Sequence, residues 1–169
     1  MNTDLYEKLL AASFRFLSVR SHSKKEVLEY LAKTLRRWHM PQEDIAQRVL
    51  TRLVELGYVD DLKFSQWLIE SRTRNKPKGI RFIKQELMQK GVDRGLIDEV
   101  LSKEQLGKTS EMDSARKAIG RKLLFWQKLP VLERKKKVYG FLGRRGFSED
   151  TIRKIVDEVV ENNYNTENS

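Results

Sequence analysis

Cysteine is absent from the 169 residues, which removes a disulfide scaffold, a cysteine zinc site, an iron–sulfur cluster and a thiol nucleophile. Long hydrophobic runs are absent too. The longest purely apolar stretch, Leu123-Leu124-Phe125-Trp126, falls far short of the ~20 residues of a membrane span. The N-terminus, Met1 to Glu7, has no basic segment followed by an apolar one, so no export signal is visible and the cytoplasm is the expected compartment. Neither G-x-x-x-x-G-K-[ST] nor a strand-led G-x-G-x-x-G occurs. Acidic residues are the scarcer charge: 24 Asp+Glu face 34 Lys+Arg, a net charge of +10 with pI ≈ 9.8. That excess calls for an acidic partner, whether nucleic acid, anionic lipid or acidic protein.

Proline and glycine are also few, at three and nine, and they punctuate segments whose apolar residues recur at helical spacing. Leu9, Ala12, Ser13, Phe16 and Leu17 mark a first helix. Ser23, with Glu26 three residues on, writes a capping box for a second, lined by Val27, Tyr30, Leu31 and Leu35. Pro41 suits the first position of a third, with Ile45, Val49, Leu53 and Leu56 on one stripe and Gly57 at its end. Asp60 or Asp61 caps a fourth, which the Asn75-Lys76-Pro77-Lys78-Gly79 loop breaks. Ile80, Ile83 and Leu87 lie on a fifth that Gly91 stops, and Asp93 caps a sixth. Three more are expected near 111–128, near 131–145 and over 149–161, the last capped by Ser148. No segment alternates, so the spacing predicts an all-α chain of nine helices.

Nine helices also suggest a repeated unit of three. Glu86-Leu87-Met88-Gln89-Lys90-Gly91-Val92-Asp93 aligns with Phe141-Leu142-Gly143-Arg144-Arg145-Gly146-Phe147-Ser148 at an offset of 55, matching leucine, base, glycine, apolar residue and cap. Val49 and Leu50 fall on Val100 and Leu101 at an offset of 51, after a longer turn through Trp38-His39-Met40-Pro41. The expected organisation is repeat 1 over 1–57, repeat 2 over 58–107, repeat 3 over 108–161 and a flexible tail over 162–169. A three-helix unit of this size is marginal alone, so stacked units form an elongated, curved molecule suited to binding polymers.

The charge is segregated. Residues 63–84 carry +6 and residues 116–145 carry +10, leaving −6 on the other 117. Lys78, Arg81 and Lys84 are three apart and share a side. Lys117, Arg121 and Lys128 lie opposite Ala115, Ala118, Ile119, Trp126 and Leu129. A phosphate backbone or a carboxylate-rich protein would relieve the repulsion within each run. Trp67, Phe82, Trp126 and Tyr139 stand near the basic stretches, where aromatics can stack on bases, although most are spaced as core residues. Catalytic chemistry has little to stand on. His22 and His39 fall near helix ends without ligand spacing, which suits turn or exposed roles. Asp60-Asp61 is explained by capping before a magnesium site is needed. No catalytic residue, metal ligand or cofactor is expected.

At Gly57-Tyr58-Val59-Asp60-Asp61, then Phe64-Ser65, Ser71-Arg72, Lys78-Gly79-Ile80-Arg81-Phe82-Ile83, Glu86-Leu87 and Lys90-Gly91-Val92, the sequence resembles the RecX family of bacterial recombinase regulators. Arg15 to Ser23 with Glu26 and Leu28 is similar to its first-repeat junction, and Lys137-Val138, Phe141-Leu142 and Arg145-Gly146-Phe147 to its third repeat. Phe82 departs from the pattern, standing where the family often has Arg or Lys. The resemblance implies tandem three-helix repeats that bind the RecA–DNA filament. It implies too that the protein restrains filament extension, ATP hydrolysis, strand exchange and co-protease activity toward the SOS repressor.

On this reading Arg72, Arg74, Lys76, Lys78, Arg81 and Lys84 form one contact surface, and Arg121, Lys122, Lys135, Lys136, Arg144 and Arg145 another. The implied partners are the RecA filament and, weakly and salt-sensitively, single- or double-stranded DNA. The protein itself is expected to be a monomer and to engage no membrane. Two other functions fit parts of the sequence: a free-standing DNA-binding regulator using a helix-turn-helix, and a metal-dependent nuclease using Asp60 and Asp61.

Overall fold

The computed structural model describes residues 2–74, 76–105 and 111–167. Among the described residues there are nine α-helices and no strand: α1 (Asn2–Leu17), α2 (Lys24–Arg37), α3 (Glu43–Glu55), α4 (Asp61–Arg74), α5 (Ile80–Gln89), α6 (Arg94–Gln105), α7 (Glu111–Trp126), α8 (Val131–Arg144) and α9 (Glu149–Glu167). None of them is long and apolar enough to cross a membrane.

Helices α2, α4, α6 and α9 start where the sequence supplies a side-chain acceptor. Ser23 Oγ accepts from Glu26 N at 3.2 Å while the Glu26 carboxylate accepts from Ser23 N at 3.4 Å, the full capping box. Asp60 Oδ1 accepts from Leu62 N at 2.8 Å and Lys63 N at 3.3 Å, and Asp93 Oδ1 from Gly95 N at 2.8 Å and Leu96 N at 3.2 Å. Asp61 has a different job, accepting from Lys24 N at 2.9 Å. α3 departs from expectation. Gln42 is still extended (φ −138°, ψ 95°), so Pro41 lies outside the helix, which starts at Glu43 and Asp44 beside its positive end.

The helices run in three sets of three, and the second helix of each set ends in the same turn. Gly91 N donates to Met88 O and Val92 N to Leu87 O. Gly146 N donates to Gly143 O and Phe147 N to Leu142 O, and His39 N to Arg36 O and Met40 N to Leu35 O. The pivot residue is left-handed in all three, with φ of 78°, 77° and 57°. Glycine takes that conformation without strain, whereas the first set places a histidine there.

Two compact units hold these helices, Met1–Trp67 with Leu87–Ile97 and Leu68–Glu86 with Asp98–Ser169, so α4, α5 and α6 each give one end to each unit. The first unit is centred on Leu9, Val27, Leu31, Leu35, Ile45, Val49 and Leu53, the second on Ala115, Ile119, Val138, Leu142, Phe147, Ile152 and Ile155. Full burial of each such Leu, Ile, Val or Phe side chain contributes ~1.5–3 kcal/mol.

In the first unit, Ser23 Oγ also donates to Lys90 O at 2.7 Å. The Glu26 carboxylate accepts from Arg20 at 3.0 and 3.1 Å and from Lys90 Nζ at 2.5 Å. Burial would raise this carboxyl, but the hydrogen bonds from Arg20 and Lys90 win and hold it at about 2. His22 occupies a turn as expected but is buried, its ring 3.8 Å from that of Phe16.

At the other end of the chain α9 continues through Glu167 rather than stopping at 161, so most of the expected tail is helical. No glycine or proline follows Ser148 to stop it. The expected junction at 107–108 and the last two residues of the chain lie outside the described residues.

Candidate binding surface

The candidate residues of the second unit divide into cations already neutralised and cations left open. Arg72 is half-buried and grips Glu86 with both arms, Nε at 2.8 Å and Nη2 at 2.5 Å. Arg74 pairs with Glu70, and Lys84 Nζ with Asp98 at 2.5 Å. Lys78 Nζ lies 4.1 Å from the centre of the Phe82 ring. Lys76 and Arg81 are exposed and form no ion pair among the described residues, although Arg81 acts on Glu149 and helps to hold its carboxyl below the usual range. Because α5 begins only at Ile80, Lys78 sits in the loop and does not share a helix face with Arg81 and Lys84. Ser71, Arg72, Lys76, Lys78, Phe82 and Glu86 line an open cavity of about 440 Å³.

Backbone contacts hold this loop. Gly79 N donates to Arg145 O at 2.9 Å, Arg81 N to Gly146 O at 3.1 Å, and Ile80 N to Glu111 Oε1 at 3.3 Å. A Cβ on Gly79 would lie 2.2 Å from Gly146 O, so only glycine fits. Arg145 Nη1 donates to Pro77 O at 3.0 Å, with its guanidinium 4.5 Å from the centre of the Phe141 ring. The two basic groups separated in sequence thus meet at Arg145, next to the cations of the loop. Glu111 works from below. Besides Ile80 N, its carboxylate accepts from Ser148 N at 3.1 Å, Ser148 Oγ at 2.5 Å and Thr151 Oγ1 at 2.7 Å.

On α7 and α8 the cations are more open. Lys117, Arg121, Lys122 and Lys128 are exposed on or just beyond α7, as are Lys136, Lys137 and Arg144 on α8; Lys135 is half-buried, and none is ion-paired among the described residues. Arg116 instead takes Glu158 with both arms, at 3.1 and 2.7 Å, and Asp113 at 3.0 Å.

Arg134 does not belong to the surface at all. It is 2% exposed, with Nε donating to Trp126 O at 3.3 Å and Nη2 to Gln127 O and Leu129 O at 3.0 Å each. A cation at the carbonyl end of α7 meets the negative end of the helix dipole. Counting charge in a window hid this. Arg134, Val138 and Leu142 are four apart, which puts the arginine on the core stripe.

The aromatics do not form a stacking platform. Arg20 covers Trp67 at 5.2 Å, Lys78 covers Phe82, Trp126 is half-buried edge-on to Phe141, and the Tyr139 hydroxyl donates to Glu149 at 2.6–2.7 Å. The outward residues are others. Leu124 is 66% exposed, Phe125 73% and Leu132 65%, the first two belonging to the short apolar run Leu123 to Trp126. The core period through Ala115, Ile119, Leu123 and Trp126 would have placed Leu124 and Phe125 outside. Among the described residues no group of three His, Asp or Glu is placed to hold a metal ion.

Comparison with known proteins supplies what geometry does not. The model of the second three-helix domain of RecX matches residues 60–101, and that of the third matches residues 109–156. The chain is 36% identical to the regulatory protein RecX of Prosthecochloris aestuarii over 92% of its length and 95% of the relative's. It is 32% identical to that of Chlorobium phaeobacteroides over 90% and 94%. The crystal structure of RecX from Lactobacillus salivarius superposes with a TM-score of 0.76 at 21% identity, covering 93% of this chain and 97% of the other.

Proposed function

The chain belongs to the RecX family, and we propose that it is a non-catalytic regulator that binds the RecA–DNA filament and inhibits RecA. The inhibited activities are ATP hydrolysis, strand exchange and SOS co-protease action, so the protein modulates recombination and repair. It acts as a monomer in the cytoplasm, through three repeats over 1–57, 58–107 and 108–161, and needs no cofactor.

One observation carries the binding half of this reading. The loop bearing Lys76 and Lys78, with Arg81 at the start of α5, is locked onto the turn bearing Arg145, so cations outside any ion pair among the described residues are held on rigid backbone. Phosphates reward such an array by counterion release, at ~0.9 in the logarithmic salt slope per contact to duplex DNA. Side chains already committed to Glu86, Glu70 and Asp98 have less to offer. Lys76, Lys78, Arg81, Arg121, Lys122, Lys136 and Arg144 are therefore the contact residues of choice, with Lys135 beside them.

The test is the single-stranded-DNA-dependent ATPase of RecA titrated with the protein. Wild type lowers the rate, and Arg121→Glu, Lys122→Glu and Arg144→Glu combined restore it without shifting the thermal melt. Arg145 is left intact because its side chain braces the Pro77 loop. A triple variant as inhibitory as wild type contradicts this choice of surface. Tight sequence-dependent duplex binding without RecA would favour a free-standing DNA regulator instead.

A further inference from the structure

From the outward face of α7 we infer a second kind of contact: Leu124 and Phe125 are anchor residues for an apolar pocket, rimmed by carboxylates, on a protein partner. Arg121, Leu124 and Phe125 recur at i, i+3 and i+4, so they form one stripe, opposite the buried Ala115 and Ile119, and Lys128 follows in the turn just past the helix end. At 66% and 73% exposure the two apolar side chains project from the helix, and a cation stands at either end of the pair. This is the pattern by which a helix face seats in a groove. From Ser114 to Leu132 the chain carries no Asp or Glu, so nothing on this stripe neutralises Arg121 or Lys128.

The charge selects the occupant. A second copy of this face would set Arg121 and Lys128 against their own symmetry mates, which disfavours self-association. DNA phosphates would satisfy the cations and leave Leu124 without an apolar partner. A lipid surface needs a long apolar helix face, but the other apolar positions of α7 are buried in the core (Ala115, Ile119) or packed against it (Met112, Ala118, Leu123, Trp126). A protein pocket with an acidic rim satisfies both halves of the stripe. The anchor is also rigid. Arg134 ties the carbonyls of Trp126, Gln127 and Leu129, fixing the end of the helix that presents the pair, and pre-organised anchors lose less entropy on binding.

This inference rests on the RecA reading, with the pocket on the recombinase subunit and the phosphates left to the loop cations. The test compares the wild-type full-length chain with the Leu124→Gln, Phe125→Gln double variant. Five readouts are taken: co-sedimentation with RecA–single-stranded-DNA filaments, anisotropy on the oligonucleotide alone, flotation with phosphatidylglycerol vesicles, gel filtration and the thermal melt. The variant should bind filaments at least about tenfold more weakly. It should also bind the oligonucleotide as wild type does and melt within about 2 °C of it, since both positions are exposed and Gln suits a helix.

Equal filament binding by the two proteins overturns the anchor alone. Wild type that fails to bind filaments overturns the RecA reading, and this inference with it. An equal loss on the oligonucleotide assigns the pair to nucleic acid, vesicle flotation lost in the variant assigns it to lipid, and a dimer lost in the variant assigns it to self-association. A lowered melt shows that the pair is structural. Each of these four results overturns the proposal.

Discussion

Arg145 Nη1 donates to the carbonyl oxygen of Pro77 across 68 residues of sequence, at 3.0 Å. One side chain thereby makes a brace out of what charge alone would rank as another binding cation. Two substitutions separate the roles. Arg145→Ala should cost about 1 kcal/mol in urea unfolding, through the lost hydrogen bond and packing on Phe141, and should weaken DNA binding by loosening the loop. Lys76→Ala should leave unfolding unchanged and lower the logarithmic salt slope of DNA binding by about one. A Lys76→Ala slope identical to that of wild type removes this lysine from the interface.

Arg134 is the costliest cation in the chain to replace. Its guanidinium is buried with no carboxylate partner among the described residues, and it donates to three backbone carbonyls, of which only Trp126 O has a second donor, Leu129 N at 3.0 Å. Arg134→Met keeps much of the volume but removes the donor to Gln127 O and Leu129 O, so a loss of about 2–3 kcal/mol is expected in chemical denaturation. Arg134→Lys keeps the charge but not the fork and should fall between wild type and Arg134→Met. Solvent-facing Lys136→Met should change stability by under about 0.5 kcal/mol.

Acid should unfold the protein in two stages. His22 lies below its ordinary 6.5, first because of burial and then because of Arg20, with Glu26 opposing. The unfolded chain therefore takes up this proton first, and stability declines as pH falls below 6.5. Glu26 sits at about 2 against an ordinary 4.5, so its contribution is present above 4.5 and disappears as pH falls toward 2. His22→Phe should flatten the decline in urea midpoint between pH 7 and 5.5. Glu26→Gln should lower stability at neutral pH and flatten the profile below 4.5. A wild-type midpoint constant from pH 7 to 5.5 would contradict the buried neutral imidazole.

Helix caps and stop glycines were legible because they are local. Ser23 and Glu26, Asp60, Asp93, Gly91 and Gly146 act on residues within one turn of themselves. The inward and outward positions of Arg134, Leu124 and Phe125 were legible in principle, since the helical period that found the core also decides them. Summing charge over a window discarded that angular information. What lies beyond the sequence is the long-range pairing: Lys90 reaching Glu26 over 64 residues, or the Gly79 amide meeting Arg145. No local propensity encodes those contacts. They exist because whole helices have already packed, and they decide which cations remain open.

His39 provides the sharpest check on the repeated turn. Gly91 and Gly146 pivot at φ 78° and 77°, while His39 holds φ 57° with the same pair of backbone hydrogen bonds. A side chain in the left-handed region costs ~1–2 kcal/mol, set against the ~0.5–1 kcal/mol that glycine loses in unfolded-state freedom. The histidine is exposed and its side chain has no partner among the described residues to compensate. His39→Gly should therefore stabilise the protein by several tenths to about 1 kcal/mol, raising the melting midpoint by a few degrees. His39→Ala keeps the Cβ in the strained region and should give no such gain. If alanine stabilised as much as glycine, the backbone at this turn would not be the source of the strain.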